Sequence, residues 1–179
     1  MRKIIVVFSL FLISFAGHSQ GTELKNHFFT GGSLGLRFGT LTNIEVSPAF
    51  GYHINDYLSA GIGGTYQFYN NKYYYPSLRL NIWGGRAFFR VHPFSMIYLQ
   101  GEYEIMTYKT DIFHPAGEME NIISENILGG IAYRDVLSET VSYYMMLMYN
   151  FNQTIYTPYL NPVYRVGIEI AFPARKNSR

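Results

Sequence analysis

The sequence predicts an all-β fold, an eight-stranded antiparallel up-and-down transmembrane β-barrel, and three observations carry that expectation. First, segments in which apolar residues alternate with small or polar ones recur along the chain, and beyond the leader no stretch carries a helical period. Successive side chains of a strand point to opposite faces, so period two means strand. Second, in most of these segments the charges fall on the small-residue face and leave the other nearly free of charge. Third, the connections alternate between short and long. A closed sheet leaves no unpaired edge, so it is the only β-structure that can sit in lipid.

Residues 1–19 read as a secretory signal peptide, with Arg2 and Lys3 as the charged region, Ile4 to Phe15 as the apolar run, and Gly17 and Ser19 as small residues before the cut. That apolar run is too short to cross about 30 Å of hydrocarbon as a helix. Residues 20–172 then form the barrel and 173–179 a basic tail containing Arg175, Lys176 and Arg179. The chain has no Cys, so neither a disulfide framework nor a lipidated N-terminus is expected.

The first predicted strand, 28–38, sets Phe28, Thr30, Gly32, Leu34, Leu36 and Phe38 against Gly31, Ser33, Gly35, Arg37 and Gly39. The second, 43–54, sets Ile44, Val46, Pro48, Phe50 and Tyr52 against Glu45, Ser47, Ala49, Gly51 and His53. In the third, 57–69, Leu58, Ala60, Ile62, Tyr66 and Phe68 oppose Ser59, Gly61, Gly63, Thr65 and Gln67. The fourth, 77–91, is less regular, because the parity of Leu78, Leu80 and Ile82 puts Arg86 and Arg90 on the apolar face. A β-bulge at Gly84-Gly85 is the expected remedy, returning both arginines to the interior. In the fifth, 96–106, Ile97, Leu99, Tyr103 and Ile105 oppose Tyr98, Gln100, Glu102 and Glu104.

The sixth, 122–134, places Glu125 with Ile127, Ile131 and Tyr133, which is tolerable only near the outer end, where the lipid penalty for an acidic side chain is small. The seventh, 140–151, carries Tyr144, Met146 and Met148 inward, so a packed lumen is expected there. The eighth, 163–172, sets Tyr164, Val166, Ile168, Ile170 and Phe172 against Arg165, Gly167 and Glu169. Asn55-Asp56, His92 to Ser95 and Asp135 to Glu139 read as tight turns, and Asn70 to Pro76, Thr107 to Asn121 and Asn152 to Pro162 as longer outer loops; the first hairpin, Gly39 to Thr42, is an exception, because its outer loop is also short.

Composition narrows the function. Removing Arg2 and Lys3 with the leader takes the 14 basic residues to 12, equal to the 12 acidic ones, and no basic stripe suited to nucleic acid remains. Charged residues are only 15% of the chain against 18% aromatic, with 17 Tyr, a residue that enriches where membrane meets water.

Several segments resemble the small outer-membrane β-barrel domain proteins of Gram-negative envelopes, in particular the Bacteroidota type, an OmpA/OmpX-like eight-stranded barrel of the porin family in the loose sense. They are the Ser19-Gln20 leader ending, the hairpin Ser47-Pro48-Ala49-Phe50-Gly51-Tyr52-His53-Ile54-Asn55-Asp56-Tyr57-Leu58, Phe89-Arg90, and the run Tyr164 to Phe172. The resemblance covers essentially the whole mature chain. It implies an outer-membrane location, contact with outer-membrane lipid, and Phe172 as the signal read by the barrel-assembly machinery.

Interior charges are the first functional candidates: Arg37, Glu45, Arg79, Arg86, Arg90, Glu102, Glu104, Arg134, Arg165 and Glu169. They suit a conduction path or pocket, or an ion-pair network that plugs the lumen. The plug is favoured, because a barrel of this strand number is filled by side chains and buried charges persist when paired. The histidines His27, His53, His92 and His114 lack metal-ligand spacing, so no metal or cofactor is expected. Ser47 and His53 share a strand face but both point inward, away from a lipid substrate. Tyr69 and Tyr73-Tyr74-Tyr75-Pro76 suit an outer aromatic girdle or a recognition surface.

The loop Thr107 to Asn121, with Asp111, His114, Glu118 and Glu120, is the candidate for contact with an extracellular protein or glycan. The expected function is a monomeric, non-catalytic barrel with a structural or adhesive envelope role. The alternatives are a secreted lipocalin-like barrel binding a small apolar ligand, although its Gly-x-Trp entry is absent, and third a membrane-embedded lipid-modifying enzyme.

Overall fold

The computed structural model describes residues 27–37, 41–73, 78–111 and 119–172; the side chains of Arg37 and Leu41 lie outside the description. The leader and the basic tail lie outside it as well. Eight strands follow in order: β1 (Phe28–Arg37), β2 (Leu41–His53), β3 (Leu58–Asn71), β4 (Leu78–Val91), β5 (Ile97–Thr110), β6 (Glu120–Val136), β7 (Val141–Asn150) and β8 (Val163–Ala171). Each pairs antiparallel with its sequence neighbours, and β8 pairs with β1 from Phe29↔Ala171 to Leu34↔Val166, so the barrel is closed. Phe172 continues that seam, its amide donating to the Phe28 carbonyl at 3.1 Å.

Alternation is kept along the strands. In β5 the burial switches at every residue from Tyr98 to Thr110, and Gln100, Glu102, Glu104 and Met106 all face the lumen. The β2–β3 ladder is interrupted between Val46↔Tyr66 and Ala49↔Gly63, around Pro48, whose nitrogen has no proton to donate.

The expected bulge in β4 does not form. The ladder from Leu58↔Val91 to Asn71↔Leu78 is unbroken, and Arg86 and Arg90 face inward on one continuous parity. Leu80 and Ile82 share that inward face, contrary to their expected place on the lipid side, and Arg79 points outward and is exposed. The physical reason lies in the lumen, which holds an apolar cluster beside its buried charges: Ile82, Met106, Leu128, Met146 and Met148 pack there together. Apolar identity therefore does not mark the outer face in this part of the barrel.

Inward glycines on β2, β3 and β8 make room for rings. A Cβ at Gly51 would strike the Phe29 ring, one at Gly61 the Phe88 ring, and one at Gly167 the Tyr144 ring.

The β2–β3, β4–β5 and β6–β7 connections are short and share the end that holds the start of β1 and the end of β8; the β1–β2 connection, between Arg37 and Leu41, is also short and belongs to the other end. Asn55 Oδ1 accepts from the amides of Tyr57 and Leu58 at 2.9 Å, a side-chain-closed turn. Residues 137–140 turn on the Ser138 hydroxyl, which accepts from the Val141 amide at 3.2 Å. At the opposite end the 107–121 connection is shorter than the sequence suggests, because β5 runs to Thr110 and β6 begins at Glu120, with Lys109 paired to Asn121. The connection 151–162 folds back on the barrel. Phe151 donates to the Ile127 carbonyl at 2.8 Å, Tyr108 to the Tyr156 carbonyl at 2.7 Å, and Asn161 Nδ2 to the Asn150 carbonyl at 2.9 Å; the Asn161–Pro162 bond is cis.

Candidate functional site

Strand parity brings Glu45 (β2), Arg86 and Arg90 (β4), Glu102 and Glu104 (β5), Arg165 and Glu169 (β8) into one lumen, all buried. Arg165 is its centre, 1% exposed. Its NH1 lies 2.5 Å from Glu102 Oε2, its Nε 2.7 Å from Glu45 Oε1 and its NH2 3.7 Å from Glu104 Oε2. The Nε contact is an ion pair whose N–H is not aimed at the carboxylate, so the charge is balanced there without a directed hydrogen bond. Arg86 approaches the other oxygen of Glu102 at 2.9 Å, so that one carboxylate bridges two guanidinia. Ser47 donates to Glu45 at 2.8 Å and Thr65 donates to Glu104. Breaking one partner out of such a network is expensive, because the remaining charge stays buried and unpaired.

A second cluster fills the lumen toward the short-turn end. Arg90 NH1 lies 2.5 Å from Glu169 Oε2, and its Nε donates to Gln100 Oε1 at 2.6 Å. The rings of Phe29, Phe88, Tyr98 and Tyr144 surround its Cζ at 5.1, 4.7, 4.8 and 5.7 Å, within cation–π range. Three of these four rings occupy space left by Gly51, Gly61 and Gly167, so the strand glycines have a packing cause. Arg134, half-buried at the mouth, faces Glu169 at 3.5 Å and donates to Ser142 at 2.9 Å. Gln100 Nε2 donates to Glu102 at 2.9 Å and joins the two clusters.

Tyr159 is the member that strand reasoning misses. The folded-back connection carries its ring into the lumen, where its hydroxyl donates to Glu104 Oε2 at 2.6 Å and accepts from Arg165 NH2 at 2.8 Å. Burial first, and then the neighbouring Glu104 and Glu45 carboxylates, hold its phenol protonated well above the ordinary tyrosine range. The connection 152–162 has no period to place it in sequence; its only advance signal is one large aromatic between Pro158 and Pro162.

The other expected residues divide. Arg37 lies on β1 in register with Asn43, and its side chain is outside the description. Arg79 is not in the lumen; it stands on the outer face of β4 in register with Asn70. Asp111 and Glu120 are exposed at the ends of β5 and β6, while His114 and Glu118 lie outside the described residues. Tyr73 is exposed, Tyr69 packs against the lumen cluster, and Tyr74, Tyr75 and Pro76 lie outside the description. Glu125 faces outward as expected and reaches the hydroxyl of Tyr103 on β5. Among the described residues no group of three or more His, Cys, Asp or Glu is placed to hold a metal ion. A cavity of about 50 Å³ is lined by Tyr159 together with Gly35, Asn43, Glu45 and Pro162.

No protein-family model and no curated protein matches the sequence. Among solved structures, the chain is similar to a de novo designed transmembrane β-barrel, with 13% identity and a TM-score of 0.38 over 86% of this chain and 98% of that one. It is also similar to the translocator domain of the autotransporter NalP from Neisseria meningitidis, with 10% identity and a TM-score of 0.40 over 94% of this chain and 95% of that one. Identities this low bring neither protein's role to this chain.

Proposed function

We propose that this chain is an outer-membrane β-barrel with a structural or adhesive role in the envelope, non-catalytic and monomeric, whose lumen is closed by side chains. One observation carries the reading: the barrel is inside out relative to a soluble protein. Its outer wall carries Leu34, Val46, Ile62, Leu99, Ile127, Leu147, Val166 and Ile168 exposed, while its guanidinia and carboxylates are paired within. Soluble monomers rarely expose contiguous apolar patches beyond a few hundred Å², and lipid is the solvent that makes such a wall favourable.

The lipocalin alternative needs the reverse polarity and an apolar chamber, whereas Arg165, Tyr159, Met146 and Met148 occupy the lumen. For a lipid-modifying enzyme, Ser47 is fully buried with its hydroxyl on Glu45, and His53 bonds Ser59 rather than Ser47. The outer connections, with Asp111, Glu120 and the exposed Ile155 and Tyr156, are the surface offered to an extracellular protein or glycan.

Envelope fractionation with a heat-shift gel, followed by planar-bilayer recording, tests the reading. The protein should partition with the outer membrane, show a heat-modifiable band, and give no steady conductance. Release from membranes in buffer, or single-channel steps of porin size, would contradict it.

A further inference from the structure

At the short-turn end of the barrel, two imidazoles from different elements converge on one hydroxyl. Ser59, fully buried at the start of β3, has its Oγ 2.7 Å from His53 Nδ1 at the end of β2 and 3.0 Å from His92 Nε2 in the β4–β5 turn. His27 extends the arc to the segment before β1, its Nδ1 donating to the His53 carbonyl at 2.7 Å. Backbone bonds run alongside: His53 to the His27 carbonyl and His92 to the Tyr57 carbonyl, both at 2.7 Å. A hydroxyl has one proton, so Ser59 can bridge two ring nitrogens only by donating to one and accepting from the other.

We propose that this mouth is an acid-weakened clasp, in which Ser59 ties β2, β3 and the β4–β5 turn together most firmly while His53 and His92 are not both protonated. With both imidazoles charged, each ring nitrogen facing Ser59 is a donor; the Ser59 oxygen can accept from both, but its own buried proton is left without an acceptor. Two cations then stand with ring centroids 6.1 Å apart. The charged and titratable groups facing them are His27 before β1, Arg90 on β4, Tyr98 on β5, Arg134 on β6 and Glu169 on β8, with Tyr144 of β7 behind them against Arg90 and Tyr98. The only carboxylate in that set, Glu169, is already shared between Arg90 and Arg134. Protonation therefore adds repulsion that no free anion offsets.

The direction of the pH dependence follows. Burial, and next the nearby Arg90, hold His92 down to about 4 from its ordinary 6.5. The closed mouth thus takes up protons less readily than the open one, and acid favours opening. The clasp is intact above the ordinary histidine range, weakens as pH falls through it, and has given up its full pH-linked contribution below about 4.

Hydrogen exchange by NMR on the full chain refolded in detergent micelles tests this, with rates divided by their intrinsic values at each pH. In the wild type, protection of the His53 and His92 amides should fall by about tenfold or more between neutral pH and about pH 4, while the mid-wall Ile127 and Leu128 amides hold theirs. The double variant His53→Asn with His92→Asn, whose amides do not titrate, should show no such fall. Ser59→Ala keeps both histidines and should already exchange fast at neutral pH. The clasp is refuted if wild-type protection is constant down to pH 4, if it falls equally in the double variant, or if Ser59→Ala is as protected as the wild type at neutral pH.

Discussion

The hydroxyl of Tyr159 donates to Glu104 at 2.6 Å, so a residue of the outer connection is bonded to a carboxylate on the opposite wall of the lumen. The same oxygen accepts from Arg165 at 2.8 Å, so the connection is fastened to the network that fills the barrel.

Tyr159→Phe keeps the ring and removes both bonds. It leaves Glu104 and Arg165 short of a partner and should lower stability by about 1–3 kcal/mol. Urea unfolding in lipid vesicles measures the change. Tyr159→Ala also empties the outer mouth, so it should be less stable still and give transient current steps in planar bilayers where Tyr159→Phe stays silent.

Arg165→Met should be the most damaging single change in the lumen, because it removes the cation shared by Glu45, Glu102 and Glu104 and leaves Arg86, on Glu102, to face all three. Removing one partner of a buried ion network is expected to cost about 3–5 kcal/mol. Adding Glu102→Gln to Arg165→Met should recover part of that loss, which a double-mutant cycle of unfolding free energies reads directly.

The outer wall should tolerate arginine by depth. Ile62, 65% exposed in mid-wall, lies between Phe50 and Ala87, whereas Asn81 sits two residues beyond Trp83 toward the outer loops. Ile62→Arg should cost about 2–4 kcal/mol and Asn81→Arg about 0–1 kcal/mol, as for lipid-facing charges at the midplane and near the interface. Equal costs at the two positions would count against a bilayer around this wall. Gly63→Arg is no neutral control, since any Cβ there meets the Pro48 carbonyl at 2.6 Å and Arg86 Nε at 2.9 Å.

Gly167→Ala should destabilise although alanine is small, because its methyl group collides with the Tyr144 ring and the Gly32 carbonyl. Overpacking of this kind costs about 1–3 kcal/mol. Pairing it with Tyr144→Ala should relieve part of the loss in the same unfolding assay, and additive losses would deny the contact.

Strand order, parity and most of the ion network were legible in the sequence because a strand's period of two depends on nearest neighbours alone. Glu45, Glu102, Glu104, Arg165 and Glu169 needed nothing more. Arg86 and Arg90 were placed inside for the wrong reason: Leu80 and Ile82 imitate a lipid face, and only their packing with Met106 and Leu128 shows them to be lumen residues. Arg79 was misplaced by the same step, since taking Leu80 and Ile82 for the lipid face puts their neighbour of opposite parity inside. Tyr159 and the Ser59 bridge were not legible, because each depends on contacts between segments far apart in sequence: Tyr159 with Glu104, and Ser59 with His92. Why glycine stands at 51, 61 and 167 was not legible either, because the cause is a ring carried by the neighbouring strand.

Trp83, the single tryptophan, projects from the outer wall of β4, 60% exposed, with its ring 4.5 Å from that of Tyr66. It reports directly on what surrounds the barrel. In vesicles made with brominated acyl chains, a membrane-spanning barrel predicts strong quenching of Trp83 fluorescence, with little quenching by aqueous iodide. Quenching by iodide alone, with no response to bromine in the chains, would mean that this wall faces water and that the barrel does not sit in the membrane.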